Sequence, residues 1–196
     1  MKHNRQDLIY IYDNEDQKIV MIHGETGERV AEEEDQVTSL LKYLHEQNKP
    51  ELLRQFAVWC ADQINSQIKP IQKKILDLAR EAIHKNVGND ALIELYEKTE
   101  GTAIATDTVG LRQGSMAAPG YLAARECINP DALEGAIQAA RYHRLWREMQ
   151  QNEEKSSPNH TALKEVKART TEDAIEAIVQ QQTDYLLDMM NKRSEK

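Results

Sequence analysis

The feature that most constrains the fold is the spacing of alanine in the second half of the chain. Two stretches, AAPGYLAAREC (117–127) and DALEGAIQAARYHRLW (131–146), place small side chains three or four residues apart, which is the spacing of one helix face. Small side chains allow two helices to cross at close range. The Asn-Pro-Asp sequence at 129–131 is expected to end the first helix and begin the second. We therefore predict two closely packed helices here.

Composition supports a helical core elsewhere. Only 5% of the 196 residues are aromatic, whereas 40% are hydrophobic, so the core must consist mainly of Leu, Ile, Val and Ala. Apolar residues at helical spacing predict amphipathic helices beginning near Glu34, Pro50 and Pro70. A fourth helical candidate follows at 90–111, but its Thr and Gly residues lower helix propensity. For residues 98–115, helix and loop both remain open.

The two ends of the chain differ from this middle. DLIYIY (7–12) and KIVMIH (18–23) flank a turn-forming sequence and predict a β-hairpin, with ERVA (28–31) as a further short strand. The fold class expected is mainly α: a multi-helix bundle with an N-terminal β-hairpin and a tethered C-terminal amphipathic helix. The predicted organisation is a hairpin appendage at 1–33, a helical bundle at 34–150, a linker at 151–160 and a C-terminal helix at 161–196. The pattern of this last helix leaves open whether it packs on the bundle, on a second copy or on a partner.

Charge and cysteine content exclude several classes of protein. The net charge of −8 is unsuited to neutralising phosphates, so nucleic acid is not an expected partner. No segment approaches 18 consecutive apolar residues, so no membrane span is expected. Two distant cysteines without a CxxC pair, and a start without a long apolar run, predict a reduced, cytoplasmic protein. The histidines are scattered singly, so neither a metal nor another cofactor is expected.

Catalytic motifs are also missing from the sequence. Cys127 and His143 form the one conceivable nucleophile and base pair, since both lie in the predicted alanine-rich hairpin. No orienting third group is identifiable, and a cysteine among alanines is better explained as a small buried side chain. We therefore assign no catalytic residue. Charged groups near the tight pack must be paired if buried, and structural polar roles are predicted for Asp62, Glu126 and Arg141.

An acidic run lies between the predicted hairpin and the first helix. ETGERVAEEED (25–35) contains six carboxylates and one arginine, a local charge of 1 − 6 = −5. Such a run can steer and bind a basic protein partner, or it can simply be a solvated surface that favours a helix N-terminus. The partner-binding candidates are Glu25, Glu28, Glu32, Glu33, Glu34 and Asp35.

Several motifs resemble one protein family. WCAD (59–62), LAREAI (78–83) and the two alanine-rich stretches are similar to those of alanine-rich, all-helical immunity proteins that accompany bacterial polymorphic and contact-dependent toxins. The resemblance covers roughly residues 53–146. It implies a non-enzymatic protein that neutralises a cognate toxin by binding it directly, and the acidic charge of the chain favours a basic toxin domain as that partner.

Two other functions remain as alternatives. A helical adaptor or regulatory module would act through its C-terminal helix, either on a partner or by forming a homo-oligomer. An enzyme would use a buried polar site near Asp62, Glu126 and Arg141. Truncation of 161–196 would address the first alternative, and alanine substitutions at the three polar residues would address the second.

Overall fold

The computed structural model describes residues 8–13, 18–23, 35–64, 69–84, 88–156 and 164–194. Within these ranges the protein is mainly helical, and its helices pack as a bundle, as predicted. The helices are α1 (Gln36–Glu46), α2 (Pro50–Gln63), α3 (Pro70–His84), α4 (Asn89–Lys98), α5 (Glu100–Ala105), a π-helical turn (Thr106–Leu111), α6 (Ala118–Glu126), α7 (Ala132–Ser156) and α8 (Lys164–Ser194).

Local signals explain where these helices begin. Pro50 and Pro70 are the first residues of α2 and α3, where a missing N–H costs no helical hydrogen bond. Asp35 caps α1 by accepting from the backbone N–H of Thr38 at 3.2 Å. Asp131 caps α7 in the same way, since its Oδ1 accepts from the N–H groups of residues 133 and 134 at 2.9 and 3.1 Å.

Helix α6 lies at the centre of the bundle. Every residue from 118 to 126 is buried, and α6 contacts α2, α3 and α7. The predicted close crossing of the alanine-rich helices is present: Ala123 and Ala136 are fully buried. At Gly135 of α7 the two helices approach so closely that a Cβ atom would lie 2.4 Å from the carbonyl oxygen of Glu126.

Residues 98–115, for which helix and loop were both open, are largely helical. α4 and α5 meet at Thr99, whose hydroxyl donates to the carbonyls of Leu95 and Tyr96 at 2.9 and 3.0 Å. The π-helical turn then continues to Leu111, and Gly114, with φ 69°, follows it. Tertiary packing outweighs the low helix propensity of this segment, because Thr99 and Ala103 are buried in the bundle.

The C-terminal helix packs on its own core, one of the three arrangements that the sequence left open. The apolar face of α8 is buried against α1, α2 and α7. Its described buried residues are Ile178, Gln182, Thr183, Leu186 and Met189. The predicted linker at 151–160 is too long, since α7 continues through 151–156; residues 157–160 lie outside the described ranges.

Two short segments precede the bundle. The backbone of β1 (Leu8–Asp13) runs antiparallel to that of β2 (Lys18–His23), with Leu8 opposite His23. The predicted third strand and the acidic residues 25–34 lie outside the described residues. Within the described part of the chain, no helix combines the length and the apolar character needed to cross a bilayer.

Candidate functional site

His143 belongs to the core rather than to an exposed reactive site. Its side chain is buried on α7, and its Nδ1 lies 3.4 Å from Nε2 of Gln182 on α8. Burial, reinforced by the charges of Arg144 and Arg147, lowers the pKa of His143 to about 4. The imidazole is therefore neutral near pH 7.

Aromatic rings surround this histidine. Trp59 of α2 meets the His143 ring edge-on at a centroid distance of 5.8 Å. Trp59 also stacks on Tyr185 of α8, with ring centroids 4.3 Å apart and an interplanar angle of 11°. Trp146 lies 6.5 Å from His143. α2, α7 and α8 thus meet through rings as well as through aliphatic side chains.

Both cysteines are buried and free. The thiol of Cys127 donates to the carbonyl of Ala123 at 3.3 Å, whereas Sγ of Cys60 lies 3.9 Å from Nε2 of Gln182. Burial raises the pKa of both thiols, so neither is a thiolate at neutral pH. These contacts agree with the prediction that Cys127 fills space in the helix crossing.

Glu126 lies in a buried polar cluster at the end of α6. Its Oε2 accepts from Nδ2 of Asn129 at 2.7 Å, and its Oε1 lies 3.4 Å from Nη1 of Arg125. The Arg125 guanidinium stacks 3.5 Å from the centroid of the Tyr96 ring, and its Nη2 donates to the Tyr96 carbonyl at 3.1 Å. Burial raises the pKa of Glu126, against the opposing effects of Asn129 and Arg125. The cluster joins α4 to α6.

Arg141, Asp62 and Glu126, for which structural polar roles were predicted, lie in different surroundings. Arg141 is exposed, although the preceding Ala140 is 3% exposed. Asp62 is 40% exposed and pairs with Arg80 at 2.7 Å. One residue along a helix turns the side chain by about 100°, so a neighbour of a buried alanine can point to solvent. The three predicted polar residues therefore do not form a single site.

Arg54 is a buried polar residue that the sequence analysis missed. Its Nη1 donates to the carbonyl of Asn129 at 2.8 Å and to that of Cys127 at 3.3 Å, so it satisfies backbone groups beyond the end of α6. Burial lowers its pKa, but the group remains charged. The available signal was its position four residues before buried Val58 on the same helix.

Asp35 is the one described member of the predicted partner-binding run, and it already has partners. Its carboxylate accepts from Nη1 and Nη2 of Arg144 at 3.3 and 3.0 Å, while it also caps α1. Desolvation opposes ionisation of Asp35, but the hydrogen bonds and charge of Arg144 and the bonds from Thr38 lower its pKa overall. Asp35 thus stabilises the bundle itself.

The solvent side of α8 carries a row of carboxylates that we call the acidic face of α8. Its members are Asp173, Glu176, Asp184 and Asp188, all exposed. They recur at helical spacing over 15 residues, or about 22 Å at 1.5 Å per residue. Lys192 pairs with Asp188 at the end of the row. This face lies opposite the buried residues of the same helix.

Comparison with known proteins adds no identification: no protein family, curated protein or solved structure matches the chain. Among the residues that the structure describes, no group of three or more His, Cys, Asp or Glu side chains is arranged to hold a metal ion. The resemblance to immunity proteins therefore stays a prediction based on the sequence motifs.

Proposed function

We propose that this protein is a non-enzymatic binding protein of the immunity type, which neutralises a cognate bacterial toxin by covering it. The partner is a basic toxin domain, and the acidic face of α8 binds it; the acidic residues of 25–34 are a second partner-binding candidate, predicted from the sequence alone. Blocking of this kind depends on complementary shape and charge rather than on a reactive group.

The observation that carries this proposal is the acidic face of α8. Asp184 and Asp188 stand one helical turn apart and are both exposed. Lys192 pairs with Asp188, but one lysine against four carboxylates leaves 1 − 4 = −3 along the row. The fold does not require these carboxylates, because α8 docks through its opposite face. A row of exposed carboxylates attracts and steers a basic partner.

The placement of the reactive residues favours binding over catalysis. Cys60, Cys127 and His143 are all buried, and their polar contacts are with Gln182 and a backbone carbonyl of the core. Asp62, Glu126 and Arg141, which an enzyme was expected to use, have separate surroundings. A surface function therefore accounts better for the charged residues than a buried active site does.

The test is protection of cells from the toxin encoded beside this protein. We expect co-expression of the wild-type protein to restore growth, and the Asp184→Lys, Asp188→Lys double variant to bind the purified toxin domain at least tenfold more weakly. Titration at two salt concentrations should show weaker binding at higher salt, since exposed charges are screened.

A matched control separates a specific surface from net charge. The Glu94→Lys, Glu97→Lys double variant makes the same change of charge at two exposed positions of α4, and it should bind as the wild type does. If both double variants bound the toxin domain equally weakly, overall charge rather than a specific surface would explain the loss of affinity. Equal killing with and without the wild-type protein would refute the immunity function.

The adaptor alternative takes a more restricted form. Deleting 161–196 cannot test it cleanly, because Leu186 and Gln182 are fully buried in the bundle and their loss would leave core residues uncovered. An adaptor would instead use the outer side of α8. Capture of a non-toxin protein that is lost in the Asp184→Lys, Asp188→Lys variant would favour this function.

A further inference from the structure

The face by which α8 docks contains one amide among apolar side chains. Gln182 is 0% exposed and lies between Ile178 and Leu186, one turn away on either side. Apolar contacts are not directional, so they alone would allow a helix to shift along its neighbours. A buried amide keeps its hydrogen bonds only when the helix occupies one position along its neighbours. It can therefore fix the register of the helix.

The nitrogen and the oxygen of the Gln182 amide both form hydrogen bonds with α7. Nε2 of Gln182 donates to the carbonyl of Ala140 at 3.1 Å, and its Oε1 accepts from Nε of Arg144 at 2.8 Å. Arg144 is thus the side-chain donor on which the buried Oε1 depends. If Arg144 moved away, that oxygen would be buried without this donor, which is unfavourable.

The position of Arg144 is set in turn by α1. Asp35 accepts two hydrogen bonds from Nη1 and Nη2 of Arg144, and such a paired contact holds the guanidinium in one plane. The Arg144 side chain is 19% exposed, so without Asp35 it could turn towards solvent. We call the series Asp35, Arg144 and Gln182 the relay.

We propose that the relay is a latch: α8 opens from the bundle as a local unit, and the ion pair at the start of α1 sets how often it does so. Proteins open in such units with free energies below that of global unfolding. The latch couples the N-terminus of α1 to the docking of a helix at the other end of the chain. Anything that competes for the Asp35 carboxylate releases α8.

The variants must separate the relay from the capping role of Asp35. Asp35→Ser retains an N-cap oxygen for Thr38 but is too short to pair with Arg144. Arg144→Lys retains the positive charge but loses the planar fork that holds Asp35 and Gln182 together. Gln181→Asn shortens an exposed side chain of the same helix outside the relay and outside the acidic face of α8, and it is the matched control.

Hydrogen exchange of the full-length protein tests the latch. In Asp35→Ser and Arg144→Lys, we expect amides of residues 178–189 to lose at least tenfold of their protection, while those of 53–60 in α2 keep theirs. The double variant should lose no more than the larger single effect, because both changes break one series of contacts. Gln181→Asn should exchange as the wild type does.

Two results would overturn this inference. Unchanged protection of α8 in Arg144→Lys would mean that the relay does not control docking. Equal loss of protection in α2 and α8 would mean that the whole bundle opens together and that α8 is not a separate unit. Neither result bears on toxin binding, so this test and the test of the proposed function can fail independently.

Discussion

Replacement of Gly135 by alanine probes the close contact between α6 and α7. The added Cβ would lie 2.4 Å from the carbonyl oxygen of Glu126 and 2.9 Å from Cβ of Asn129. An ordinary contact begins at about 3.4 Å, so α7 must move by roughly 3.4 − 2.4 = 1.0 Å relative to α6. The first obstacle is backbone, which cannot rotate away as a flexible side chain would.

The expected magnitude combines two opposing effects. Overpacking of a closely packed core costs about 1–3 kcal/mol, whereas replacing a helical glycine by alanine gains about 0.5–1 kcal/mol. Because the clash is with backbone, we expect a net loss of about 2 kcal/mol in the free energy of unfolding. For a chain of this length, that corresponds to a decrease in Tm of about 4–8 °C.

A second glycine provides the control. Gly101 lies in α5, and a Cβ there would meet nothing within 4 Å, so Gly101→Ala should raise stability by about 0.5–1 kcal/mol. Denaturant unfolding followed by circular dichroism at 222 nm measures both variants. If Gly135→Ala were as stable as the wild type, the close crossing of α6 and α7 would be wrong.

Two further predictions concern buried charged and titratable groups. Arg54→Met should lower the free energy of unfolding by about 3 kcal/mol, because it removes donors to buried carbonyls, whereas Arg80→Met, at an exposed ion pair, should cost under about 1 kcal/mol in the same urea titration. The folded pKa of His143, about 4, is below the ordinary histidine value of 6.5. As the pH decreases from 6.5 towards 4, the unfolded chain takes up a proton that the folded protein does not, so stability falls. The loss should approach about 3 kcal/mol and should be absent from His143→Gln; parallel pH profiles for the two proteins would contradict it.

The sequence predicted those parts of the fold that depend on local patterns. Prolines at 50 and 70 mark true helix starts, and the alanine spacing predicts the crossing of α6 and α7. These predictions succeed because a helix start and a helix face are properties of a few neighbouring residues. The burial of the second half of α8 could not be predicted in this way, since an amphipathic helix has the same pattern whether it docks on its own core or on a partner.

Charged residues in the core were harder to assign from the sequence. Arg141 is exposed and Arg54 is buried, yet both follow apolar residues in the sequence. Their difference arises from which way each side chain points, and from the carbonyls beyond α6 to which Arg54 donates. Adjacency along the chain is a poor guide to burial on a helix, whereas a spacing of four residues, as between Arg54 and Val58, is a better one.

The stacking of Trp59 on Tyr185 gives the protein an intrinsic optical reporter. The chain has two tryptophans, and both lie near His143, but it is Trp59 that stacks on a ring of α8. In a Trp146→Phe background, the emission of Trp59 should shift to longer wavelength when water replaces the Tyr185 ring. Stopped-flow fluorescence could therefore time the departure and return of α8 in an otherwise unlabelled molecule.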